Sequence, residues 1–127
     1  MKNLNEYIDE KLKLSDISKM KSPSQWVDAN RLKFADLKEG YIVELRNKRR
    51  YMVIPRSFLT LKSKHGIKYI LKSQQGTTNH LEDYVNQFPK VNSGYSVEWD
   101  IVRVYTRNRH YANKSEIDED IKKLYQF

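Results

Sequence analysis

Hydrophobic spacing changes period as the chain is read from its start. In the first segment Leu4, Ile8 and Leu12 recur every four residues with Tyr7 beside them, which predicts one amphipathic helix. Asn3 is placed to cap it, and Glu6, three residues later, completes a capping box. A second short turn is expected in "KLSDISKM" (13–20). Ser22 before Pro23 then reads as a cap followed by a proline preset for a first helical turn, so a further helix is expected with Trp26 and Val27 as its buried residues. Core anchoring is the default role for such a Trp, and a recognition role would require it to be exposed.

After Gly40 the period falls to two. Residues 41–46 and 51–54 are rich in β-branched and aromatic side chains, which predicts two strands joined through "RNKRR". Asn47 tolerates the left-handed region, but Lys48 occupies the place where glycine is favoured, so a longer three- or four-residue loop competes with a two-residue turn. Pro55 ends the second strand or places it at an edge. "GIKYILKS" (66–73) alternates Ile67, Tyr69 and Leu71 against Lys68, Ile70 and Lys72. The strongest strand signal is "SVEWDIVRVYTR" (96–107), with Val97, Trp99, Ile101, Arg103 and Tyr105 expected on one face and Val102 and Val104 on the other. Residues 79–88 fit either a short helix with Leu81, Tyr84, Val85 and Phe88 on one face or a loop laying its aromatics over the barrel mouth. The chain closes helically: Ser115 with Asp118 resembles a capping box, Ile117, Ile121, Leu124 and Tyr125 form a stripe, and acids precede lysines as the helix dipole prefers.

Helices, then short antiparallel strands, then a helix make an α+β pattern. Residues 1–127 are expected to form one domain: an N-terminal helical part (1–35), a small antiparallel SH3-like β-barrel or curled sheet (36–111) and a C-terminal helix (112–127). Leu37, Val43, Leu45, Val53, Ile101 and Val104 are its expected core.

Composition narrows the function. The chain has no cysteine, which removes disulfides, thiolate metal sites and thiol nucleophiles together. No apolar run approaches the roughly 20 residues of a membrane span, and "MKNLNEYIDEK" lacks a signal peptide's apolar stretch. A soluble intracellular, hence cytoplasmic, protein with no membrane partner is the expectation. The net charge of +8 lies in one place: residues 41–75 hold nine Lys/Arg against the single acid Glu44, whereas the segments on either side are nearly balanced. Such a field favours polyanions or an acidic protein face, and its plain alternative is a lysine-rich surface serving solubility.

No catalytic set stands out, so an enzyme is not expected, nor a cofactor. His65, His80 and His110 are far apart and unsuited to a zinc site. Glu98 and Asp100, two apart on the predicted strand, could together hold Mg²⁺ for a nuclease, with Lys68 or Arg103 stabilising developing charge. A metal nuclease draws ligands from several elements, however, and a solvent-facing acid pair is the simpler reading. Binding is better supplied. Arg46, Lys48, Arg49 and Arg50 at a hairpin tip can straddle phosphates, and Tyr51 or Tyr111 can stack on an unpaired base. "RNKRRY" (46–51) has an echo in "RNRHY" (107–111), which adds Arg107, Arg109 and Tyr111 if both strand ends share a rim; in a chain rich in Lys, Arg and Tyr the echo can also be chance. Reversing Lys48, Arg49 and Arg50 to Glu is expected to abolish binding and leave the fold intact.

"DLKEGYIVELRNKRRYMVI" (36–54), followed by "WDIVRVY" (99–105), resembles a pattern in small accessory proteins of phages and mobile elements of Gram-positive bacteria. Asp36, Leu37, Lys38, Gly40, Val43, Leu45, Arg46, Asn47, Tyr51 and Val53 carry its first block, and Asp100, Ile101, Val102, Val104 and Tyr105 its second. The likeness covers about half the chain and leaves both ends outside it. Lys48 stands where the pattern usually has glycine, and the tip is more basic than the pattern asks. Some proteins of this kind are anti-CRISPR inhibitors, so the resemblance implies a guide RNA or an RNA-guided nuclease as partner. The alternatives are a general RNA- or DNA-binding barrel and an interaction scaffold that binds no nucleic acid.

Overall fold

The computed structural model describes residues 24–58 and 66–127. Six antiparallel strands form one sheet: β1 (Gln25–Asp28), β2 (Ile42–Leu45), β3 (Arg50–Pro55), β4 (Tyr69–Lys72), β5 (Thr78–Asn79) and β6 (Ile101–Thr106). Their order is β1-β6-β2-β3-β4-β5. β1 and β5 do not pair, so of the two expected forms, barrel or curled sheet, the closed barrel is not formed and the antiparallel sheet is open. Closure is unnecessary because both faces are already covered.

Alternation sorts the strands onto those faces. Val43, Leu45, Tyr51, Val53, Leu71, Ile101 and Val104 point to one side, where Leu37, Leu81, Tyr84 and Val91 from the connecting segments cover them. Ile42, Met52, Ile54 and Ile70 point to the other. There they meet Ile117, Ile121 and Leu124 from α1 (Lys114–Ile121) and the turn that follows it. The six expected core residues are all buried on the first side.

β6 departs from its predicted phase. Its register against β2 runs Glu44↔Arg103 and then Leu45↔Ile101, so Val102 is an extra residue, a β-bulge. The bulge puts Ile101 on the same side as Val104 and leaves Arg103 and Tyr105 on the α1 side. The strand also starts later than expected, because Val97–Trp99 is a 3-10 turn with Ser96 as its cap.

Trp26 and Val27 lie in a strand and not in a helix. β1 pairs with β6 from Gln25↔Thr106 to Asp28↔Arg103, and the backbone groups of β6 offer these β-formers a ladder that a short isolated helix could not match. The helices expected before residue 24 lie outside the described residues. The ambiguous stretch 79–88 contains a 3-10 turn, Leu81–Tyr84, that lays Leu81 and Tyr84 into the core. Buried Arg56 holds it there, donating to Glu82 Oε1 (2.8 Å) and to the carbonyls of Ile67 (3.1 Å) and Tyr69 (3.3 Å).

The cap of α1 lies two residues before the expected Ser115. Asn113 is the cap, accepting from Glu116 N–H, and Glu116 accepts from Ala112 N–H. The helix ends at Ile121 and a 3-10 turn follows, which rotates Tyr125 out of the apolar stripe into solvent. No helix among the described residues is long and apolar enough to cross a membrane.

Candidate nucleic-acid interface

The basic tip is a tight hairpin loop with a fixed shape. Lys48 N–H donates to the Leu45 carbonyl (2.9 Å), Leu45 N–H donates to the Arg49 carbonyl (2.8 Å), and Asn47 Oδ1 accepts from Arg49 N–H (3.0 Å). Lys48 closes the turn at φ 73°, the one non-glycine in the left-handed region among the described residues. That conformation costs an L-residue roughly 1–2 kcal/mol, which glycine avoids. The loop is also fastened sideways. Arg46 N–H donates to the Asp100 carbonyl (2.9 Å) and Asn47 N–H to the Glu98 carbonyl (3.0 Å), docking the tip on the turn before β6.

The four cations of the tip divide in their surroundings. Lys48 and Arg49 are exposed, with the Arg49 guanidinium 5.3 Å from the centre of the Trp99 ring. Arg46 is 56% exposed at its side chain and reaches Asp100 at 3.4 Å. Arg50 belongs to the interior: its side chain is 11% exposed, pairs with Glu44 at 2.9 Å, and donates to the carbonyls of Leu124 (3.2 Å) and Phe127 (3.0 Å). Tyr51 is buried in the first core. Arg50 and Tyr51 are therefore largely interior and meet the surface as walls of a recess of about 270 Å³ beside Arg49, and reversing Arg50 to Glu would set two acids against each other at Glu44.

Glu44, the lone acid of the basic segment, is the centre of this arrangement. Its carboxylate is nearly buried and takes Arg50 on one oxygen and Arg103 on both (2.7 and 3.2 Å). Burial works to raise its pKa, but the hydrogen bonds and charges of Arg103 and Arg50 outweigh it and hold the carboxyl below the ordinary range. Trp26 covers the group from β1, with Arg103 4.2 Å and Arg50 4.7 Å from its ring centre. A broad groove of about 650 Å³ opens beside it, lined in part by Trp26, Arg103 and Lys48. Arg103 is 41% exposed and adds a cation to the rim. Trp26 and Arg103 are thus surface elements next to the tip that the sequence alone does not assign to binding. A solitary acid within a basic strand is the available signal, since it must attract cations from neighbouring strands.

The echo lies elsewhere. The tip meets the start of β6, whereas Arg107 follows its end and donates to the carbonyl of Gly40, ahead of β2, at 2.6 Å. The two motifs therefore occupy opposite ends of the β2–β6 pair and share no rim. Arg107 is nearly buried against Asp120 and over the Phe127 ring. Arg109 reaches Glu116 (3.7 Å) and Asp120 (3.8 Å), and its guanidinium lies 4.6 Å from the Tyr111 ring centre. Tyr111 is buried, its hydroxyl donating to Asp120 Oδ2 at 2.5 Å; burial, with Asp120 adding to it, pushes the phenol well above its usual pKa. Arg107, Arg109 and Tyr111 are the socket for α1.

Glu98 and Asp100 are not a strand pair. Glu98 is exposed on the 3-10 turn, while Asp100 is buried and accepts from Val91 N–H at 3.0 Å. No cluster of three or more metal-ligating side chains occurs among the described residues. No family model matches the chain, and neither does a curated protein or a solved structure.

Proposed function

We propose that this chain is a non-enzymatic binding protein that holds the phosphate backbone of RNA against its hairpin tip. The observation that carries this reading is the exposure of Arg46, Lys48 and Arg49 on a loop whose backbone is pinned both internally and to the turn before β6. A pinned loop gives up little conformational entropy on binding, and three exposed cations within four residues match closely spaced phosphates. Arg103 and Trp26 extend the surface along the neighbouring groove.

The resemblance to phage and mobile-element accessory proteins supplies the specific ligand for this proposal: the guide RNA of an RNA-guided nuclease, whose capture would inhibit the nuclease. Binding of the purified protein to a labelled guide RNA, an unrelated RNA and duplex DNA at two salt concentrations tests it. Lys48→Glu with Arg49→Glu should remove RNA binding without changing the melting temperature. For every phosphate that a variant no longer neutralises, the slope of log affinity against log salt should flatten by about 0.7–0.9. A double variant that binds RNA as tightly as the parent would refute the site, and equal affinity for all three nucleic acids would reduce the protein to a general binder.

A further inference from the structure

On the side of the sheet away from α1 lies a recess built on opposite principles to the tip. It encloses about 260 Å³ between Asn79, Asp83, Tyr84, Val91, Tyr95 and Trp99. Three of its six walls are aromatic, its only carboxyl is Asp83, and no cation lines it. Tyr95 is 54% exposed, and its neighbour Val97 is 67% exposed, so the mouth is an accessible apolar rim.

The walls are held in place. The Tyr84 hydroxyl donates to the Trp99 carbonyl at 2.5 Å, joining the 81–84 turn to the 97–99 turn. Asn92 fixes the backbone under Asp83, its N–H donating to the Asp83 carbonyl (2.7 Å) and its side-chain amide to the Glu82 carbonyl (3.2 Å). Tyr95 donates its hydroxyl to Asp83 Oδ1 at 3.2 Å, and Asp83 Oδ2 makes no hydrogen bond among the described residues. Aromatic faces carry negative potential and a carboxylate carries full negative charge, so an arrangement of both with no positive group in the wall selects a cation. Trp99 already accepts one from outside: the Arg49 guanidinium lies over its ring, yet Arg49 does not line the recess.

We propose that this recess binds a methylated organic ammonium group, its charge facing Asp83 and its methyl groups against Tyr95 and Trp99. A bare ammonium presents three N–H donors and a guanidinium five, and one free carboxylate oxygen with the Asn79 amide cannot satisfy them in a mainly apolar recess. Methylation removes those donors while keeping the charge. The inference is independent of the RNA reading, because it uses neither Lys48 nor Arg49.

Two probes distinguish the sources of such a group. Tetramethylammonium chloride stands for a small quaternary amine, and a trimethyllysine peptide for a protein partner. Both are titrated into the full chain while the indole N–H resonance of Trp99 is followed, with Trp26→Phe identifying it. Saturable shifts are expected, tighter for the peptide if the partner is a protein and equal if it is a small amine. Tyr95→Leu and Asp83→Asn should each weaken binding about three- to thirtyfold, and both are rim substitutions the fold accommodates. The same peptide carrying an uncharged tert-butyl isostere should not bind. No saturable shift, equal binding of the neutral isostere, or full affinity in Tyr95→Leu would overturn the proposal. Loss of binding in Arg49→Ala would do the same, by moving the contact to the tip.

Discussion

"RNKRRY" and "RNRHY" carry nearly the same residues after a strand, yet the fold uses them differently. At the first, buried Glu44 draws Arg50 inward, while Arg46 touches buried Asp100 with its end alone and, like Lys48 and Arg49, stays largely in solvent. At the second, α1 brings Glu116 and Asp120 alongside, and both arginines become fastenings. Whether an arginine is a contact or a brace is decided by what lies across from it. The motif itself says nothing of that, because the deciding acids are supplied from elsewhere in the chain.

Substitutions can break this contrast directly, beginning with the most severe. Arg50→Glu should destabilise by about 4 kcal/mol, since a buried pair becomes two facing carboxylates while Leu124 and Phe127 lose their donor. Denaturant unfolding would register this, whereas Lys48→Glu with Arg49→Glu should leave the midpoint unchanged. Asp120→Ala should cost about 3 kcal/mol by stranding Arg107 and the Tyr111 hydroxyl. It should leave RNA affinity at permissive temperature untouched, and a matching loss of binding would mean that the echo belongs to the interface after all.

Acid separates the two regions more gently. Because the Glu44 carboxyl titrates lower in the folded than in the unfolded chain, its contribution to stability is complete above the unfolded value of about 4.3. It disappears as pH falls through the depressed folded value. Glu44→Gln should therefore flatten the acid limb of a stability–pH curve, and an identical limb in parent and variant would count against the pairing. The smallest effect is expected at the turn. Lys48→Gly should raise stability by about 1 kcal/mol by relieving the left-handed strain, while removing one cation from the RNA salt slope.

These contrasts also explain what is legible in the chain alone. Val43, Leu45, Val53 and Val104 declare themselves because period-two burial is local, and the hairpin follows because only a turn fits between its strands. α1 is marked by its apolar stripe and its early acids, although its cap is Asn113 and not the expected Ser115. β1 is not legible: Ser22-Pro23 imitates a helix start, and the partner of Trp26, Tyr105, lies far along the chain. Nor is the phase of β6, which a single bulged residue inverts past Val102. At the candidate site, Lys48 and Arg49 can be identified, whereas the burial of Arg50 depends on Glu44, Trp26 and the final turn acting together, and that of Tyr51 on the segments that cover the first core. An open sheet in place of a barrel has the same origin, since α1 and the 81–100 segment cover faces that closure would otherwise protect.

Gly40 ties two distant stretches into one unit of variation. Its φ is +86°, and a Cβ there would stand 2.6 Å from Cβ of Arg109. A side chain at 40 is thus opposed twice, by the backbone and by the neighbour. Shortening residue 109 to glycine would remove the side-chain part of the second objection, leaving the carbonyl oxygen of residue 109 at 3.0 Å and the first objection in place. The effects of changes at 40 and 109 will consequently not add, and sequence drift can explore one position only through the state of the other.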